Sequence, residues 1–147
     1  MRLRKLQINK FKGPARSFDL TGRDIFLGRS GSGKTAIVQA IGFAHHGFDP
    51  LHLISRRQLS DTFQDYASDG DEVSVALEFD DPEFLFARSI VSRPGKTGKP
   101  SFSESIKIVG DDSNTTEASG KILAKIGSSV AAYTLGSFLA KSGDEQM

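Results

Sequence analysis

The chain of 147 residues contains no cysteine. That excludes disulfides and thiolate metal sites, and it suits a cytosolic setting. No apolar run approaches the roughly 20 residues that a membrane span requires, so no membrane partner is expected. The amino terminus alternates as Arg2-Leu3-Arg4-Lys5-Leu6-Gln7-Ile8, which is a strand pattern and not a secretory leader. Net charge is nearly absent, at +1, but this conceals an asymmetry. Residues 1–60 carry 11 Lys and Arg against 3 Asp and Glu, a balance of +8. Residues 61–147 carry 8 against 15, a balance of −7. The first part is therefore suited to face a polyanion such as nucleotide or DNA. The length allows one domain with a real core, 1–147. With 37% hydrophobic and 25% charged residues the composition is that of a globular protein.

Against these absences stands one strong motif. Gly28-Arg29-Ser30-Gly31-Ser32-Gly33-Lys34-Thr35 fits G-x-x-x-x-G-K-[ST] at every fixed position. Its flanks agree: Asp24-Ile25-Phe26-Leu27 reads as a short buried strand. Thr35 to Ala44 reads as a helix with Ile37, Val38 and Ile41 on its apolar side. Such a loop turns successive backbone N–H groups around a phosphate, and glycines permit the tight curl. The helix start, from Thr35 and Ala36, adds free N–H groups and the positive end of the dipole. Lys34 is expected at the β- and γ-phosphates, and the Thr35 hydroxyl at Mg²⁺. The implied ligands are ATP and Mg²⁺.

The remaining pattern supplies elements around this loop. Arg2 to Lys10 reads as a strand, Asn9 to Pro14 as a turn, and Ala15 to Leu20 as a returning strand. His45-His46-Gly47 reads as a helix end with Gly47 as the stop, since adjacent helical residues point about 100° apart and share no face. Part of Asp49 to Ala67 is predicted helical. Val73 to Phe79 and Phe84 to Val91 read as a hairpin, Arg93 to Ser101 as a loop, and Ser105 to Val109 as a third strand. A helix is predicted from Thr115 to Ile126. Val75-Ala76-Leu77-Glu78-Phe79-Asp80-Asp81 has the look of a Walker B strand. Its alternation and the following Pro82 assign it to an antiparallel hairpin instead.

Taken in order, Leu6-Gln7-Ile8-Asn9-Lys10-Phe11-Lys12-Gly13, the phosphate loop and Val38-Gln39-Ala40-Ile41 resemble the N-terminal lobe of the head domain in SMC-like ABC ATPases. That group includes SMC proteins, RecF, RecN and the SbcC-type proteins. The resemblance implies an α/β fold of P-loop NTPase type, with a mixed sheet around the phosphate-loop helix and an adjoining antiparallel sheet. It implies that Lys10 and Lys12 lie near the nucleotide, that Arg56 or Arg57 contacts DNA, and that a glutamine-bearing loop falls near Phe138 to Gly143. Gln146 comes several residues late for that role. Family members usually carry Asn where Ser30 stands, and this loop sequence is equally at home in ABC transporter ATPases, where Phe11 or Phe18 could stack on adenine.

The family's second lobe carries a Leu-Ser-Gly-Gly signature, Walker B with its catalytic glutamate, and a switch histidine. None is found here, and no heptad run is present. The chain is therefore expected to be the N-terminal part of a longer protein that is cytoplasmic or associated with nucleoid or nuclear DNA. Its expected partners are the C-terminal lobe, a second head, DNA and a nuclease subunit, with little or no hydrolysis by this part alone. A stand-alone P-loop kinase would need an arginine-rich lid, and a GTPase would need Asn-Lys-x-Asp; neither is found.

Overall fold

The computed structural model describes residues 2–21, 23–47, 59–67, 70–80 and 84–126. Five strands form one sheet: β1 (Leu3–Asn9), β2 (Arg16–Asp19), β3 (Glu72–Phe79), β4 (Leu85–Pro94) and β5 (Pro100–Ile108). Three helices accompany it: α1 (Lys34–His46), α2 (Leu59–Tyr66) and α3 (Thr115–Ile126). The strand order is β2-β1-β3-β4-β5, and every pairing is antiparallel.

The period-two pattern decides which face is covered. Leu6 pairs with Leu77, Ile8 with Val75, Leu77 with Phe86 and Arg88 with Ile106, so these residues share one face. All are buried. Ile37, Ala40, Phe43 and Ala44 of α1, Tyr66 of α2, and Ala118 and Ile122 of α3 close the same core. The molecule thus has a sheet layer and a helix layer. On the outer face Gln7, Glu78 and Lys107 are exposed. Each fully buried Phe or Leu contributes about 1.5–3 kcal/mol by leaving water.

Local chemistry sets the boundaries. The buried residues of α1 recur every three or four positions, and the helix ends where Gly47 turns left-handed (φ 80°) and donates to Phe43 O at 2.7 Å. In α3, Asn114 Oδ1 accepts from the N–H groups of Thr116 and Glu117, both at 3.0 Å, an N-terminal cap. The turn after β1 is anchored by aromatics. Phe11 stacks on Tyr66 at 4.5 Å and lies 5.6 Å from Phe43, and Lys12 N donates to Tyr66 O at 2.7 Å.

Three expectations are corrected. Residues 24–27, read as a buried strand, form no strand and lie outside the sheet. Ile25 is 85% exposed and Leu27 89%; only Phe26 packs inward, edge-on to Phe18 at 5.6 Å. An apolar run describes a buried strand only when neighbouring strands flank it. The described sheet is wholly antiparallel, and the parallel strands of a mixed sheet are not among its members. The loop read over 93–101 is shorter: β4 and β5 run on until Pro94 pairs with Pro100, leaving a turn at 95–99 in which Gly95 N donates to Lys99 O at 3.1 Å. The resemblance of 75–81 to a Walker B strand fails as the alternation indicated, because β3 pairs antiparallel on both sides.

Candidate phosphate-binding site

The motif occupies the segment that enters α1. A turn brings Ser32 N to Arg29 O at 3.1 Å. Gly31 (φ 79°) and Gly33 (φ 87°) are left-handed, a conformation that costs other residues roughly 1 kcal/mol or more. At Gly28 a Cβ would stand 2.5 Å from Ser32 Oγ, so a side chain there would require Ser32 to shift. Arg29, Ser30, Gly31 and Ser32 are exposed at the loop crest.

Lys34 closes the loop. Its Nζ donates to Gly28 O at 2.6 Å, Arg29 O at 2.8 Å and Ser32 Oγ at 3.3 Å. The ammonium is solvated by dipoles alone, with no carboxylate among these partners. Ile37 N makes the first bond of α1, to Gly33 O at 3.2 Å. Among the described residues the N–H groups of Lys34, Thr35 and Ala36, and the Thr35 hydroxyl, make no hydrogen bond. The helix has no side-chain cap and no acidic residue in its first turn. Donors and positive charge thus collect at one place, as an anion site requires.

The two lysines carried over from the resemblance diverge. Lys12 reaches α1, donating from Nζ to Gln39 Oε1 at 2.8 Å, with the ammonium 5.2 Å from the centre of the Tyr66 ring. Gln39 lies five residues past Lys34, about 7.5 Å along the helix. Lys10 Nζ instead lies against Gly70, at the turn before β3. Both lysines adopt positive φ, 53° and 46°. Arg56, Arg57, Gln146 and residues 138–143 lie outside the described residues. His45 and His46 close α1 as expected, yet their rings meet, with Nδ1 of His45 2.9 Å from Nε2 of His46. Among the described residues no group of three or more His, Asp or Glu is placed to hold a metal ion.

Two arginines escaped the sequence reading. Arg16 on β2 pairs with Ile8 and so lies on the helix-covered face. Its guanidinium reaches the phosphate loop: a Cβ on Gly33 would stand 2.6 Å from Nη1, and one on Gly13 would stand 2.7 Å from Nη2. The signal was the alternation from Phe18, which puts Arg16 on the inner face. Arg88 on β4, 3% exposed, stands between Phe86 and Ile90 in the core pattern. Its Nε donates to Ala44 O at 2.9 Å, and it pairs with Glu104. Burial lowers its pKa, opposed by Glu104.

No helix among the described residues is long and apolar enough to cross a membrane. No protein-family model matches the chain, and no curated protein is significantly similar to it.

Proposed function

We propose that the loop Gly28–Thr35 binds the phosphates of ATP with Mg²⁺, and that the chain is the N-terminal lobe of an SMC-like ABC ATPase head acting on DNA. One observation carries the nucleotide part: the full eight-residue motif sits at the uncapped N-terminus of α1 with Lys34 Nζ folded onto the loop's own carbonyls. On binding, Lys34 exchanges Gly28 O and Arg29 O for phosphate oxygens. The N–H groups from Gly31 to Ala36 donate to the phosphates, and Thr35 offers its hydroxyl to the cation. Bound Mg²⁺ would neutralise phosphate charge while keeping most of its water. The residues fit these roles because, among the described residues, the N–H groups of Lys34, Thr35 and Ala36 and the Thr35 hydroxyl are unengaged, and no acidic residue stands in the first turn of α1.

The exposed pair Ile25 and Leu27 supports a half-site. An exposed apolar segment leading into the loop calls for a covering surface, which a second lobe would supply. Covering each side chain would gain about 2 kcal/mol. The same pair counts against a self-sufficient kinase. Phe11 is 2% exposed within the aromatic cluster, so it is not presented for adenine stacking, which weakens the transporter reading. DNA, a nuclease subunit and a second head as partners rest on the resemblance alone.

Calorimetry with Mg-ATP is the test, with phosphate release followed on the same preparation. The expected result is weak binding, reduced at least tenfold in Lys34→Ala, with negligible release. Equal binding by the variant, or robust turnover by the chain alone, contradicts the proposal.

A further inference from the structure

Arg16 stands where an ordinary surface arginine would not. Its guanidinium lies against two glycines on different elements, Gly13 in the turn after β1 and Gly33 at the start of α1, and a Cβ on either would require it to shift. Among the described residues it makes no hydrogen bond or ion pair. The acids of its own segment are engaged elsewhere: Asp19 faces Lys5 at 3.9 Å, and Asp24 accepts from Thr21 N at 3.0 Å and from Thr21 Oγ1 at 2.9 Å. Among the described residues, the charged side chains of the loop and of the turn after β1 are all cations: Arg29 and Lys34 of the loop, and Lys10 and Lys12 of the turn, the Lys12 ammonium being bonded to Gln39. A guanidinium at the positive end of a helix, beside a second cation and with no acid in the first turn, is repelled unless an anion lies there.

We propose that Arg16 is a phosphate ligand of this site, set so that the loop takes a polyphosphate chain and not a single phosphate. The inference rests on the phosphate-binding reading of Gly28–Thr35 and extends it to a strand outside the motif. The planar fork of arginine suits two phosphate oxygens at once. Its seat against Gly33 places that fork beside the N–H groups of the helix start. Lys34 and the backbone then hold one part of the anion and Arg16 another, which couples the β1–β2 turn to occupancy of the loop.

The test uses the full chain with Mg-ATP and with inorganic tripolyphosphate, comparing Arg16→Gln, Arg16→Lys and Lys34→Ala by calorimetry after a thermal melt of each. Arg16→Gln is expected to weaken both ligands about tenfold, and Arg16→Lys to recover part of the loss. Rescue by the positive charge is something a merely structural role would not show. If Lys34→Ala loses binding while Arg16→Gln matches the wild type, the role of Arg16 is wrong and the loop reading stands. A loss of Mg-ATP binding with tripolyphosphate unchanged also overturns it, since Arg16 would then serve the nucleoside. If the wild type binds neither ligand, both readings fall together.

Discussion

His45 lies on the last turn of α1 with only 4% of its surface exposed. Burial, then the neighbouring His46 and Arg88, lower its pKa from 6.5 to about 4. His46 is lowered in the same direction by burial and by Arg88. Both rings therefore charge less readily in the fold than in the unfolded chain, and His45 stays neutral in the fold until the pH nears 4. Stability is fully present above pH 6.5 and is lost as pH falls towards 4. Urea unfolding at pH 7 and pH 4.5 should differ by about 2–3 kcal/mol from His45 alone, and the difference should shrink in His45→Gln. An unchanged difference would assign the effect elsewhere. Asp111, hydrogen-bonded by Lys121 and Ser113, is lowered to about 2, so its contribution is lost only at lower pH and does not blur the measurement.

At the scale of elements, α1 meets an arginine from the sheet at each end. Arg16 seats against its N-terminus. Arg88 donates to Ala44 O, approaches His45 O at 3.4 Å and pairs with Glu104. Cations complement the C-terminal carbonyls of a helix. Arg88→Ala would leave Glu104 partly buried without its partner and the helix end unanchored. It should destabilise the chain by about 3 kcal/mol or more in chemical denaturation; a change under about 0.5 kcal/mol would show that Arg88 does not anchor α1. Most elements were legible because local pattern and packing agree: β1, β3 and β4 alternate, and α3 carries Ala118, Ile122 and Ile126 at helical spacing. The hairpin tip was not, because Gly95, Lys96 and Gly98 read as loop while strand pairing carried β4 to Pro94. The two arginines were hidden for a related reason. Pattern reading assigns charge to the outside, whereas Arg88 finds carbonyl partners at the C-terminal end of α1 and Arg16 lies against its N-terminal end.

Among the described residues, helices cover one face of the sheet, and the segment that enters the Gly28–Thr35 loop lies outside that sheet. The Gly28–Thr35 motif stands out in the sequence because its residue types are those a phosphate would need. The setting of its entry segment was not, because Asp24-Ile25-Phe26-Leu27 carries the same apolar signal whether or not strands flank it. The exposure of Ile25 and Leu27 makes a definite prediction. Ile25→Asp and Leu27→Asp should each change the stability of this chain by no more than about 0.5 kcal/mol, as for other surface positions. A loss of several kcal/mol would mean that these side chains already pack against something.

The central claim is that the backbone from Gly31 to Ala36 cradles phosphate, and amide NMR addresses it most directly. On titration with Mg-ATP, the N–H signals of Gly31, Gly33, Lys34, Thr35 and Ala36 should shift most, tripolyphosphate should reproduce the shifts, and adenosine should not. Amides that stay in place at millimolar Mg-ATP, or that move only with adenosine, would contradict the account.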